Sequence, residues 1–500
     1  MGSYLERLKE EWSRISRLEQ ALNLLSWDME TYMPEHGVKA RAGQISLLAG
    51  VLHDWLTKPE IGRLIDGAEK ESSGMPAFSD EASMVRVARR IYEKKVRVPK
   101  RIVERLADTA ARANSIWISA RAHADFGEFS AVLSELIDLN REQADCLGWR
   151  DHPYDALIDL YEPDMTTADI DRIFTDLKSS LLPLVRDILP TMPKEKHSLL
   201  SQTFNVQSQE AFGLAVIKDM GFDFKRGRQD RSAHPFTTSF SPYDVRITTR
   251  FSDEDPLSGF FSTVHECGHA LYDQGLPLEF IDTPLCQPIS LGVHESQSRL
   301  WENVVARSLP FWRHYLPIMK RRFPGQLDEL DAESFYKIVN RSEAGLIRVE
   351  ADELTYNLHI FVRFEIEKEI IAGTLATDDV PSFWNQKYRD YLGVSPPDDA
   401  AGCLQDIHWA HGAFGYFPTY TIGNILSAQL YEAALSHHPS ISEEIEKGDF
   451  ASLLAWLRER IHRHGARYTT SELIQEITGG PIRVESYLNY LENKFRALAS

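Results

Sequence analysis

Apolar positions recur at three- and four-residue steps along most of this chain. Between residues 3 and 30 the stripe runs Leu5, Leu8, Trp12, Ile15, Leu18, Leu22 and Leu25, one face of a long amphipathic helix. The same spacing predicts helices over 38–56, 80–95, 99–124 and 127–147, with Pro99 suited to a helix start. Thr166 and Asp169 form a capping box for a further helix that Pro190 closes. Helical periodicity returns over 296–308, 333–372, 381–392, 420–436, 450–464, 470–477 and 483–498.

The period changes near the middle. In Tyr243-Asp244-Val245-Arg246-Ile247-Thr248-Thr249-Arg250-Phe251, Val245, Ile247 and Phe251 fall on one side and Asp244, Arg246, Thr248 and Arg250 on the other. With His234 to Phe240 before it and the Ser241-Pro242 turn between, this reads as a β-hairpin or small sheet. Polar or Pro/Gly-rich stretches at 70–79, 192–209, 224–233 and 393–403 are expected loops. No repeat or low-complexity run divides the chain. The expectation is therefore a mainly α fold, 1–500 as one large unit of helical subdomains flanking a groove, with a small sheet ahead of a central helix.

Composition narrows the class. Apolar content is 43 % and charged content 26 %, ordinary for a soluble globular protein. The formal net charge of −19 opposes nucleic-acid binding, which needs clustered Lys and Arg. The four cysteines, Cys146, Cys267, Cys286 and Cys403, form no C-x-x-C pair and read as reduced thiols, which points to the cytoplasm. The N-terminal residues run directly into charged helix without an apolar signal region, and no apolar run reaches the roughly 18 residues of a membrane span.

The chemistry concentrates in His265-Glu266-Cys267-Gly268-His269. Histidines four apart on a helix share one face and can bind a single zinc ion. Glu266, about 100° around the helix, can reach water at that ion without being a ligand. This is the H-E-x-x-H pattern. Pro256 and Gly259 mark the start of the helix, Gly275 and Pro277 its end, and Phe260, Phe261, Val264 and Leu271 give it an apolar side. Cys267 faces away and reads as a small buried apolar residue.

A catalytic zinc needs a third protein ligand and an open position. The metzincin continuation would place Gly at 272 and His at 275; Tyr272 and Gly275 stand there instead. Glu279, Glu295 and Glu302 are the candidates. Glu279 follows the helix break too closely. Glu295 and Glu302 lie two turns apart on one helical segment, and the polar cluster His294-Glu295-Ser296-Gln297 opens an otherwise apolar stretch. Glu295 is the choice. Such a site would bring bound water towards a pKa of about 7. Glu266 would take the proton as the water attacks an amide and then deliver it to the leaving amine.

Six ordered elements resemble those of the carboxypeptidase Taq metallopeptidases: His234-Pro235-Phe236, the Asp244-to-Thr248 D-x-R-x-T element, the zinc motif, His294-Glu295-Ser296-Gln297, the Ile347-to-Asp352 I-R-x-x-A-D element, and the Gly402-to-Trp409 G-x-x-Q-D-x-H-W element. Leu25-Ser26-Trp27-Asp28 and His152-Pro153-Tyr154-Asp155 are also similar. The resemblance covers nearly the whole chain, with its core elements within 234–424. It implies a helical gluzincin-type fold with a deep groove, zinc with cobalt (Co2+) as an active substitute, and a homodimer. It also implies release of single residues from peptide C-termini with broad preference, Pro being disfavoured. By the family pattern His265, His269 and Glu295 bind metal and Glu266 is the general base.

A carboxypeptidase must also hold a terminal carboxylate, and arginine does this best. Arg348 is the first choice and Arg246 the alternative. His234, His408 and Tyr420 are candidate oxyanion or amide donors, with Gln405 and Asp406 orienting them. Two other readings compete: an endo-acting zinc oligopeptidase, and a metal-binding interaction protein without catalysis.

Overall fold

The computed structural model describes residues 2–193 and 202–499, and they are mostly helix with one small sheet. The chain divides into two compact units. One comprises residues 1–96, 196–339 and 427–482; the other comprises 97–195, 340–426 and 483–500.

In the first unit the helix Tyr4–Thr31 opens on a complete capping box between Ser3 and Glu6. It packs against Val38–Leu56 and Pro59–Ser72 through a core that includes Leu8, Trp12, Ile15, Ile61, Leu64 and Ile65. Three strands follow: β1 (Gly227–Arg231), β2 (Thr237–Ser241) and β3 (Asp244–Thr249). Their order is β1-β3-β2, β1 parallel and β2 antiparallel to β3. The hairpin expected from alternation is β2–β3. Strand β1 falls in the stretch 224–233 expected to be loop. Its sequence, Gly-Arg-Gln-Asp-Arg, carries no strand pattern, and pairing with β3 makes it extended.

Central β3 is paired along both edges, and Thr248 is buried alongside Val245 and Ile247 rather than exposed on a polar side. Its hydroxyl accepts from the backbone N–H of Phe236 at 3.0 Å, pinning the His234-Pro235-Phe236 turn to the sheet. The motif helix, Pro256–Gly275, packs against β2 and β3; Asp255 caps its first turn, accepting from the N–H groups of Leu257 and Ser258. It also packs against Leu291–Arg299, which runs straight into a π-helical turn, Leu300–Ala306. Gly268 makes that crossing possible: a Cβ there would lie 2.6 Å from Ser298 Cα and 2.7 Å from the Gln297 carbonyl oxygen.

In the second unit, Lys100–His123 packs on Phe126–Leu147, and Tyr356–Ala372 is buried almost all round among neighbours that include Phe174 and Tyr154. The single helix expected over 333–372 is divided between the two units. It resolves into Ala332–Val339, a loop, a 3-10 turn Arg348–Glu350, and Tyr356–Ala372. Asp352 breaks the run: its carboxylate accepts from the N–H groups of Leu354 and Thr355 and from the Thr355 hydroxyl, a local cap that starts a new helix. The helix Leu309–Arg322 carries no expectation from periodicity, and Val206–Asp219 begins inside the stretch 192–209 expected to be loop, started by Asn205, whose side chain accepts from the Ser208 N–H; part of 192–209 lies outside the described residues.

Candidate metal centre

His265 and His269 stand one turn apart on the motif helix, and Glu295 faces them from the crossing helix. One donor atom from each lies within 4.8 Å of the other two. Glu295 Oε2 sits 3.6 Å from His265 Nε2 and 3.3 Å from His269 Nε2. The edge of a tetrahedron with zinc–ligand bonds of 2.0–2.1 Å is about 3.3 Å, so these separations suit three ligands of one ion better than direct hydrogen bonds. The donor set, two imidazoles and a carboxylate, fits a borderline divalent metal such as zinc.

His265 and Glu295 are held from behind by hydrogen bonds, and His269 is packed on its ring face. His265 Nδ1 lies 2.8 Å from Glu302 Oε2. With Nδ1–H donating to that carboxylate, the Nε2 lone pair is left facing Glu295 and His269. Glu302, weighed from sequence as a ligand, thus touches the far edge of the imidazole, placed there by the π-helical turn. Glu279 lies exposed on a separate turn, outside the group. Glu295 Oε1 accepts from Arg299 Nε at 2.6 Å, and the Ser298 hydroxyl lies 2.7 Å from the Glu295 carbonyl oxygen and 2.9 Å from Oε2. Arg299 Nη1 is also 3.5 Å from Glu302, so one guanidinium bridges both carboxylates. His269 stacks on His294 with ring centroids 4.4 Å apart, and His294 Nε2 lies 3.1 Å from Asp273.

Burial and charge act against each other here. Burial raises the acidity of His265, but Glu295 and Glu302 outweigh it and hold the imidazole above its usual pKa. Burial, helped by His294, pulls His269 down to about 3, leaving it neutral. Burial pushes Glu295 up, but Arg299 and the histidines more than reverse this and keep it ionised. Glu266 is buried, and that burial lifts its carboxyl above the ordinary range. The Thr237 hydroxyl, at the start of β2, donates to Glu266 Oε2 at 2.6 Å. Sequence reasoning missed Thr237 and Arg299. Thr237 is remote in sequence from Glu266, and Arg299 reads as an ordinary charge in the last turn of its helix.

The remaining candidates divide between the units. In the first, Arg246 makes two bonds to Asp244, at 2.9 and 2.8 Å, and lies between the rings of Trp27 and Phe240. His234 is exposed in the turn before β2. In the second, Arg348 is buried and makes bonds of 2.9 and 2.7 Å to Asp406 Oδ1 and one of 2.9 Å to the Tyr356 hydroxyl. Arg363 donates to the other Asp406 oxygen at 2.6 Å, and Gln405 Oε1 accepts from Arg363 and from the Arg348 backbone N–H. Burial opposes ionisation of Asp406, but the two guanidiniums hold its pKa far below the usual carboxylate range. Arg348 therefore pairs with Asp406 rather than with Asp352. His408 Nε2 lies 3.3 Å from the Tyr420 hydroxyl, and burial, reinforced by Arg348, pulls His408 to about 3. Arg363, within the apolar run Ile360-Phe361-Val362-Arg363-Phe364, carried a signal that was missed: a charge in a stretch otherwise fit only for burial.

A helical scaffold with two imidazoles and a carboxylate converging beside a second glutamate defines a candidate metal-dependent hydrolase. Residues 7–495 match the carboxypeptidase Taq (M32) metallopeptidase family, and the chain belongs to that family. It is 41 % identical over 484 residues to thermostable carboxypeptidase 1 of Thermus thermophilus, covering 95 % of each chain. It is 37 % identical over 485 residues to carboxypeptidase 1 of Bacillus subtilis, covering 97 % of this chain and 96 % of that one. Among solved structures it resembles the M32 carboxypeptidase of Deinococcus radiodurans, with a TM-score of 0.96 and 40 % identity over 99 % of both chains. The protein is thus a metallocarboxypeptidase by family.

Proposed function

We propose that the protein is a zinc-dependent carboxypeptidase that releases single residues from the C-termini of peptides with broad preference. His265, His269 and Glu295 hold the metal, with Co2+ able to replace zinc, and Glu266 is the general base. The observation that carries this reading is the single Glu295 oxygen 3.6 and 3.3 Å from two imidazole nitrogens. A divalent ion held by these groups supplies Lewis acidity, polarising the scissile carbonyl and making water a better nucleophile. Glu266 takes a proton from the attacking water and gives it to the departing amine nitrogen. Burial raises the Glu266 carboxyl above its ordinary range. Glu302 and Arg299 hold His265 and Glu295 in their ligating rotamers.

Arg348 is the proposed anchor for the substrate's terminal carboxylate: Arg348 and Arg363 share the Asp406 carboxylate, whereas Arg246 has Asp244 to itself. His234, His408 and Tyr420 are proposed amide or oxyanion donors, with Gln405 and Asp406 fixing the arginines. The whole chain, 1–500, acts as one catalytic unit in this reading, as a cytoplasmic homodimer, the dimer resting on family resemblance alone. Among the described residues no helix is long and apolar enough to cross a membrane.

The test is product analysis of a mixed peptide set, with and without a chelator, each peptide supplied with a free or an amidated C-terminus. Release of single C-terminal residues from free-carboxylate peptides, abolished by chelator and restored by zinc, is the expected result. Equal cleavage of the amides would replace this reading with an endo-acting oligopeptidase. Absence of hydrolysis from zinc-loaded protein would leave a metal-binding protein without catalysis.

A further inference from the structure

Glu266 has two carboxylate oxygens, and the fold treats them differently. The Thr237 hydroxyl sits 2.6 Å from Oε2 and 3.0 Å from the backbone carbonyl oxygen of the same residue. A hydroxyl carries one proton and so donates to one of these acceptors at a time. Thr237 is fixed from behind. The turn ahead of it is tied to buried Thr248, which accepts from the Phe236 N–H and from Ser232 Oγ at 2.7 Å, while the Thr248 N–H donates to the Phe236 carbonyl at 2.8 Å. Thr237 itself pairs with Ile247 across the sheet.

We propose that Thr237 is a positioning residue for the general base, its hydroxyl holding Glu266 Oε2 so that Oε1 is the oxygen that carries the catalytic proton. This inference rests on the assignment of Glu266 as the base. While Glu266 is ionised, the hydroxyl donates to Oε2 and fixes the carboxylate rotamer. The proton leaving the attacking water then goes to Oε1. From there it passes to the amine nitrogen as the C–N bond breaks, so Glu266 ends each turnover ionised. During the protonated interval the Thr237 hydroxyl can turn to the Glu266 carbonyl oxygen without moving a heavy atom. One side chain thereby serves both states of the base.

The experiment compares Thr237→Val, Thr237→Ser, Glu266→Gln and the double variant Thr237→Val/Glu266→Gln, each read for zinc content, thermal midpoint, kcat and KM on a free-carboxylate peptide. Thr237→Val is expected to keep its zinc and its KM while kcat falls about 10- to 100-fold, the scale of losing precise placement of a reacting group. Thr237→Ser is expected to recover kcat to within a few-fold. In the Glu266→Gln background, Thr237→Val should cost nothing further, because it acts through the group already removed. Should valine fail to fold, Thr237→Ala supplies the same comparison. Unchanged kcat in Thr237→Val, equal losses in the Val and Ser variants, or an undiminished loss in the Glu266→Gln background would each overturn the proposal. Wild-type activity in Glu266→Gln would overturn the base assignment instead, so the two failures are distinguishable.

Discussion

Two glutamates touch His265 from opposite edges, and only one can share a metal with it. Glu295 lies on the Nε2 side, towards His269, while Glu302 lies 2.8 Å from Nδ1. Removing Glu295 deletes a donor atom; removing Glu302 deletes the group that orients one. Zinc competition with a chelator should therefore separate them. Glu302→Ala is expected to weaken affinity roughly 10- to 100-fold, the usual cost of losing an orienting partner, and Glu295→Ala at least an order of magnitude more. Equal losses, or a larger loss for Glu302→Ala, would reverse the ligand assignment. Sequence made Glu295 and Glu302 neighbours on one helical face, but it could not say which edge of His265 each would meet. That follows from the π-helical turn, which changes the rotation per residue between them.

At the level of elements, the centre depends on how closely two helices cross. The motif helix brings the histidines and Leu291–Arg299 brings Glu295, and Gly268 lies at their contact. Gly268→Ala places a methyl 2.6 Å from Ser298 Cα and 2.7 Å from the Gln297 carbonyl, backbone atoms that cannot swing aside. The helices must separate, at the roughly 1–3 kcal/mol typical of overpacking. The expected result is a lower thermal midpoint together with weaker zinc binding. A variant with wild-type zinc affinity would show that the crossing tolerates a side chain. The helices themselves were legible, because amphipathic spacing and end signals act locally: Pro256 and Gly275 bound the motif helix in sequence and in structure alike. Strand β1 was not legible, since its extension depends on pairing with β3, and neither was the break at 340–355, where the Asp352 cap and the Arg348 turn override an apolar run.

At the scale of the whole molecule, one buried carboxyl away from the candidate metal centre links stability to pH. Glu367 is fully buried; Tyr154 and the Gly415 N–H donate to Oε2 at 2.5 and 2.9 Å, and Trp409 donates to Oε1 at 2.8 Å. Burial still dominates these donors and raises its pKa to about 7 from the model-compound 4.5. A folded-state pKa above the unfolded one means that folding takes up a proton. The associated stability is complete below about 4.5 and is lost as pH rises through about 7, a swing of about 3 kcal/mol at 1.36 kcal/mol per unit. Urea unfolding of wild type and Glu367→Gln from pH 4 to 8 should differ in slope over that interval, the variant lacking the decline. Parallel curves would mean that Glu367 has the same pKa folded and unfolded. The reading of the entire protein nevertheless turns on three donor atoms. Its most direct test is anomalous scattering at the zinc edge from crystals of the zinc-loaded protein. The expected result is one strong peak about 2.0–2.1 Å from His265 Nε2, His269 Nε2 and Glu295 Oε2; a fully loaded crystal with its peak elsewhere, or none at this triad, would contradict the account.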